Sequence, residues 1–383
     1  MEHSKGIEEW LKLSGADEVG AITFKHLLKR FGSVDRALGA SVSELMRIPG
    51  IGSRKAERIA RSRNKLDVRS ELQLAEKLGV TIINIADKRY PVLLKRINDP
   101  PAVLYIKGTL ERTDAIGVAI VGSRKCSMYG RQQASRLGYL LSSAGLTIYS
   151  GMARGIDSAA HQGVLSAGRR TIAVQGCGLA NIFPPENKRL FENIAKSGAC
   201  ISELPLKYEP LAENFPPRNR IIAGMTLATI VIEAGLRSGA MITSKLAGEY
   251  DREVMAVPGK IDSPLSKGPH RLIKDGAVLV ESAEDALDAI GYASRQLKRI
   301  AGQEFSALEI NQAQAQKPKV LELKGREKKI YEGLTTEPVY IDDVISKVKL
   351  PAGQVNAGLV QLQMKGLVEH KSGNHFCRKQ PLS

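Results

Sequence analysis

From Gly117 to about Ile290 the chain repeats one unit: an apolar run of strand length, a turn, then a stretch with helical period. The runs are Val118 to Val121, Leu146 to Tyr149, Thr171 to Gln175, Ala199 to Ser202, Ala228 to Ile232, Val254 to Val257 and Ala277 to Val280. They are rich in Val, Ile and Ala and do not alternate with polar residues, so a sheet built from them has both faces buried. Such strands need helices above and below, and the intervening stretches supply them. The spacing predicts an α/β fold, a doubly wound Rossmann-like parallel sheet. Ligands of such sheets lie in the crevice at the carboxyl ends of the strands, so the loops that follow the strands are where function is sought.

At 383 residues the chain is longer than this sheet requires. Residues 1–66 read as short helices broken by Gly and Pro, as in Phe24 to Gly32 and Val42 to Gly50, a small helical domain of SAM-like or helix-hairpin-helix type. Residues 67–293 contain the sheet. Residues 294–325 turn polar, with Gln312-Ala313-Gln314-Ala315-Gln316 and then Lys317-Pro318-Lys319, the composition of a linker. Residues 326–383 hold amphipathic helices, Val355 to Leu362 among them, followed by the hairpin pattern Gly366 to Phe376. Helices followed by a hairpin are the order of a winged helix.

Lys and Arg number 56 against 40 Asp and Glu, a formal net charge of +16. A cation this strong attracts polyanions and gains affinity by releasing their counterions. There is no run of 18 apolar residues and no secretory signature at the start, so a soluble, cytoplasmic protein is expected. Cys126, Cys177, Cys200 and Cys377 are scattered without a C-x-x-C pair, which argues for reduced thiols and against a zinc site.

Several turns carry the chemistry of anion binding. Ile48-Pro49-Gly50-Ile51-Gly52-Ser53-Arg54-Lys55 joins two helices through a Gly-x-Gly turn, with helix-start N–H groups beside Arg54 and Lys55. The same glycines also serve simply to shape a tight interhelical turn. The first sheet strand runs into Gly122-Ser123-Arg124-Lys125, where a glycine permits close approach and an arginine reaches over the crevice. Gly151 follows the second strand, and Phe183-Pro184-Pro185-Glu186-Asn187-Lys188 follows the third. Phe215-Pro216-Pro217-Arg218-Asn219-Arg220 then offers an aromatic face, two guanidinium groups and an amide at a helix start. Stacking combined with phosphate gripping suits single-stranded nucleic acid. Ser238-Gly239 opens a further helix. No Walker loop and no G-x-G-x-x-G dinucleotide fingerprint occurs, and no cofactor is expected.

The order GSR-x-x-S-x-YG, SG-x-ARGID-x-AAH, PENK-x-L, FPPRNRIIAG, EA-x-x-SGAMIT and VPG resembles the DNA-processing protein A family, also called Smf, over the whole α/β domain. The helical start and winged-helix end resemble that family's flanking domains. The resemblance implies a homodimer that binds incoming single-stranded DNA during natural transformation and loads the RecA recombinase on it, without ATP. Carried over by motif, Arg124, Lys188, Phe215, Arg218 and Arg220 line the DNA pocket, with Gly151 and Asn219 beside them. Gly122, Ser123, Ser238 and Gly239 present backbone and hydroxyl groups to phosphates, while Gly50, Gly52, Arg54 and Lys55 offer a second phosphate contact. Gly268-Pro269-His270 departs from the family's usual Gly-Thr-Asn, and Phe183 stands for its common tyrosine.

The rival reading is a nucleotide N-glycosidase-like hydrolase of the same α/β superfamily. Its P-G-G-x-G-T-x-x-E signature is missing, although Glu233 lies near the corresponding strand end. No catalytic residue is assigned. His161 falls within a helix and reads as a packing histidine. Asp157, Glu186, Glu203, Glu233 and Asp262, which a metal-dependent nuclease would have to gather, belong to separate loops. His370, His375 and Cys377 read as wing residues and not as metal ligands.

Overall fold

A computed structural model describes residues 6–291 and, in the C-terminal unit, residues 326–378 apart from 353, 356–357, 360–361, 363–366 and 372–374. The expected linker at 294–325 lies wholly outside the described residues, as do 379–383. The chain forms two compact units, residues 1–306 and 307–383.

The first unit begins with five short helices: α1 (Ile7–Ser14), α2 (Ala21–Phe31), α3 (Val34–Gly39), α4 (Val42–Leu45) and α5 (Ser53–Ser62). Their ends are set locally. Ser33 caps α3 by accepting from the Arg36 N–H, Ser41 and Glu44 form a capping box on α4, and Gly32 ends α2 at φ 77°. Leu11, Phe24, Leu27, Leu45, Ile48 and Ile59 fill the space between the helices.

The sheet has nine strands. In chain order they are β1 (Val80–Asn84), β2 (Val103–Gly108), β3 (Gly117–Val121), β4 (Thr147–Ser150), β5 (Thr171–Val174), β6 (Ala199–Ser202), β7 (Ala228–Val231), β8 (Glu253–Ala256) and β9 (Val278–Leu279). They lie side by side as β1-β2-β6-β5-β4-β3-β7-β8-β9. From β6 to β9 all neighbours are parallel, in registers such as Val118↔Ile148 and Ile120↔Ile230. The expected parallel sheet is present, and β1 and β2 extend its edge with antiparallel pairings, Ile82↔Tyr105 and Tyr105↔Ser202. An antiparallel strand on the edge of a parallel sheet needs no crossover helix, so it escapes a reading tuned to strand–helix repeats.

Residues 117–121, 147–150, 171–174, 199–202 and 228–231 are buried throughout. Alternate side chains go to opposite layers. Val118, Ile120, Ile148 and Ile230 face one cluster with α8 (Met128–Ser143) and α9 (Ile156–Ser166). Ala119, Val121, Tyr149, Ile172 and Val231 face the other, with α11 (Phe215–Gly224) and α12 (Gly239–Glu249). Each fully buried aliphatic side chain contributes about 1.5–3 kcal/mol, so this two-faced burial is the main force closing the domain. The remaining helices of the first unit are α6 (Val68–Leu78), α7 (Val92–Lys95), α10 (Lys188–Ser197), α13 (Lys267–Lys274) and α14 (283–291).

The helical start does not hang free. Its core runs on into Val80, Val103, Tyr105, Phe191 and Ile194, the outer face of β1, β2 and α10. Lys25 donates to the Asn98 carbonyl at 3.0 Å, and the Leu206 N–H donates to Glu71 on α6 at 2.7 Å.

The C-terminal unit contains α15 (Arg326–Gly333), β10 (Val339–Tyr340), α16 (Ile341–Val348), β11 (Val368–Lys371) and β12 (His375–Arg378). Its sheet runs β10-β12-β11, antiparallel. Ile330, Val344, Val355, Leu359, Leu362 and Phe376 form its core. This is a winged helix. The His375 ring meets Tyr340 at 5.3 Å, and Cys377 is buried.

Candidate functional site

Strand order reverses between β3 and β7, since the chain winds outward from β3 to β6 on one side and from β7 to β9 on the other. The loops after β3, β4, β5 and β7 open into the crevice at this reversal, the place where doubly wound sheets take ligands. Most residues singled out from the sequence sit here. Gly50, Gly52, Arg54 and Lys55 lie instead on the helical start, where the Lys55 ammonium donates to the Thr23 hydroxyl at 3.0 Å.

Phe215 opens α11 and stays half-exposed. Its ring lies 5.5 Å from the Phe183 ring, 5.1 Å from the Arg124 guanidinium and 5.8 Å from that of Arg218. A Cβ on Gly176 would stand 2.8 Å from Phe215 Cδ1, so a glycine after β5 is what admits the ring. Arg124 is exposed, and so are Lys188 at the start of α10 and Gly239 at the start of α12.

Arg218 behaves differently. It is only 5% exposed and donates to the carbonyls of Gly151 (2.8 Å) and Val174, at the ends of β4 and β5. Burial pulls its guanidinium down to about 10, opposed by the charge of Asp157, so it stays cationic at neutral pH. Asp157 accepts from the N–H groups of Gly151 (3.1 Å) and Ala153 (3.3 Å), and burial raises its carboxyl. Arg220 is also buried, paired with Asp99 at 3.2 Å and with Glu203. Asn219 donates to the Gly239 carbonyl at 3.2 Å and so ties α11 to α12. Arg218, Asn219 and Arg220 thus turn polar groups to the scaffold in this structure, although the buried Arg220 Nη1 has no hydrogen-bond partner among the described residues. Buried charges are kept only where they are paired in this way.

Glu233 is the residue that sequence reasoning placed but did not understand. It follows β7, and its carboxylate accepts from the Ser127 N–H (2.8 Å) and the Ser127 hydroxyl (2.6 Å) at the start of α8. Its carbonyl accepts from the Ser123 N–H at 2.6 Å. A Cβ on Gly130 would collide with that carboxylate, and one on Gly122 would stand 2.9 Å from the Glu233 carbonyl. The helix start that looked like a phosphate seat is therefore filled by the protein's own anion, which locks the Arg124 loop to the β7–α12 loop. The glycine at position 130, in the first turn of a helix, was the available signal.

Two further details shape the crevice. The Ser238 hydroxyl at the start of α12 is buried and has no hydrogen-bond partner among the described residues. Asn187 donates to the Met152 carbonyl and to the Ser158 hydroxyl, both at 2.8 Å, which brings the loop before Lys188 against the β4–α9 loop. Arg154 and Glu186 pair across the same two loops. His161 is fully buried against Thr171 at 2.7 Å, and burial pushes its pKa down to about 3, so it is a neutral packing residue. His270 bonds the backbone of Gly259 and thereby holds the loop after β8. Asp157, Glu186, Glu203 and Glu233 each hold a partner of their own. Among the described residues no group of three or more His, Cys, Asp or Glu is placed to hold a metal ion.

Comparison with known proteins gives the family and the fold. The model of the family described as DNA recombination-mediator protein A matches residues 81–291. A DprA winged helix domain model matches residues 314–374, and a SAM-like helix-hairpin-helix tandem matches 11–65. Protein Smf of Synechocystis sp. is 34% identical over 391 aligned positions, covering 97% of this chain and 98% of its own length. The DNA processing protein DprA of Streptococcus pneumoniae is 45% identical over 204 residues, 53% of this chain and 72% of its own. The X-ray structure of DNA processing protein A from Streptococcus pneumoniae superposes with a TM-score of 0.65 at 36% identity, covering 73% of this chain and 96% of that one.

Proposed function

The chain belongs to the DNA recombination-mediator protein A family, and from that premise we propose that it binds single-stranded DNA in the crevice between β3 and β7. The observation that carries this reading is the half-exposed Phe215 ring with the free guanidinium of Arg124 over it. A base stacks on an aromatic face whatever its identity, and a nearby cation takes the phosphate, so the pair grips a strand without reading its sequence. Lys188 and the unpartnered Ser238 hydroxyl at the start of α12 supply further phosphate contacts. Arg218, Asn219 and Arg220 serve by positioning: they hold Phe215 and the α12 start against the strand ends. Gly122, Ser123 and Gly151 let the backbone come close.

The net charge of +16 supports a polyanionic ligand. On this reading the protein protects incoming strands in natural transformation, loads RecA onto them as a homodimer in the cytoplasm, and does no covalent chemistry on the DNA. No helix among the described residues is long and apolar enough to cross a membrane.

The test is an electrophoretic mobility titration of single and double strands of equal length, over a salt series, with magnesium and with or without RecA. Single strands are expected to shift at lower protein concentration, unshortened, with affinity falling steeply as salt rises. RecA should assemble faster on the pre-bound strand. Equal affinity for duplex, or no salt dependence, overturns the binding reading, and strand shortening overturns the non-enzymatic one.

A further inference from the structure

One rim of the crevice is more apolar than a solvent-facing edge requires. At the start of α8, Met128 is 69% exposed and Tyr129 43%, and in the loop after β8 Ile261 is 83% exposed. These residues are neighbours through a hydrogen bond: the Tyr129 hydroxyl donates to the Pro258 carbonyl at 3.0 Å, which sets the first turn of α8 beside the loop carrying Lys260 and Ile261. Lys125 and Lys260 are exposed and form no ion pair among the described residues. Arg124, whose guanidinium covers Phe215, lies five residues before Tyr129, at most about 17 Å of chain.

We propose that Tyr129, flanked by Met128 and Ile261, is a second base platform. Nucleobases of a single strand leaving the Phe215 pocket stack on it, and Lys125 and Lys260 take the adjoining phosphates. The inference rests on the reading that the crevice binds single-stranded DNA. Its physical basis is the pairing of exposed apolar surface with uncompensated cations, which matches a ligand that alternates flat apolar faces with regular negative charge. A duplex hides its base faces inside the stack and offers only the charge. The bond to Pro258 holds the Tyr129 side chain in place before the ligand arrives, so little ordering is needed on binding. Two platforms in succession also give the strand a direction across the edge of the sheet, from β5 and α11 towards β8.

The experiment is fluorescence anisotropy with oligothymidylates of about 4 and about 16 nucleotides, the range that small single-strand sites cover. Tyr129→Ala is expected to weaken the longer strand about tenfold, one lost stacked base, and to leave the shorter within about twofold. Tyr129→Phe, which loses the hydroxyl and keeps the ring, should retain most of the affinity for the longer strand. A longer strand whose outer nucleotides are abasic should bind wild type as weakly as the intact strand binds Tyr129→Ala, and the two changes together should add nothing. That arm needs no variant, so it decides the matter even where Tyr129→Ala fails to fold. Equal losses at both lengths, no loss at either, or full affinity for the abasic strand overturns the platform. Should wild type bind neither length, the crevice reading itself fails.

Discussion

Two turns of this molecule look alike in sequence and differ in what surrounds them. Each brings glycine, serine and an Arg-Lys pair to the entry of a helix: Gly122-Ser123-Arg124-Lys125 ahead of α8, and Gly50-Ile51-Gly52-Ser53-Arg54-Lys55 running into the first turn of α5. At α8 the seat is taken, because Ser127 caps Gly130 at 3.1 Å and the Glu233 carboxylate accepts twice from Ser127. At α5 the N-cap is Gly52, no side chain caps the helix and no acid stands in its first turn. A Cβ on Gly50 or Gly52 would meet nothing within 4 Å. A helix start attracts negative charge in either place. One turn has been given its anion by the fold, which turns it into a fixed frame for Arg124, and the other faces solvent without a side-chain cap among the described residues.

The contrast can be broken by substitution. The largest effect is expected from Gly130→Ala, which drives a methyl group into the Glu233 carboxylate and should lower stability to urea by about 2–3 kcal/mol, overpacking outweighing the helix propensity gained. Glu233→Ala should cost about 2 kcal/mol by leaving the Ser127 pair unmet. The double variant should lose less than the sum of the two, because removing the carboxylate makes room for the methyl group. Additive losses would mean that Glu233 does not hold this turn.

On the binding side, Phe215→Ala should weaken single-strand affinity by about 1–3 kcal/mol without changing the salt slope, since a ring stacks and carries no charge. Arg124→Ala and Arg54→Ala should each flatten the slope of log affinity against log salt by about one unit at most, where the turn meets phosphate. A change for Arg124 alone would show that the open α5 turn is only structural, and a change for both would make it a second grip. The smallest effect belongs to Gly52→Ala. With open space around the site, thermal or urea unfolding should register about 0.5 kcal/mol, the modest difference between glycine and alanine at an N-cap.

How far such residues could be read from the sequence depended on whether their information is local. The parallel strands were legible because a strand buried on both faces must be apolar at every position, and β3, β6 and β7 begin or end within a residue of their apolar runs. The pocket motifs were legible as loops following strands. β1 and β2 were not read, because Val80–Asn84 and Val103–Gly108 join the sheet through antiparallel pairing with distant partners.

What the sequence by itself determined is the α/β architecture, the charge that favours a polyanion, and which loops lie at the strand ends. Only the tertiary structure decided which of those loops' cations are free. Arg124, Arg218 and Arg220 carry the same group in the sequence, yet Arg218 and Arg220 are buried on carbonyls and carboxylates while Arg124 faces out over Phe215. The reason is physical: a guanidinium's role is set by the acceptors within hydrogen-bond reach, and those come from β4, β5, Asp99 and Glu203, segments remote in sequence that only folding brings together.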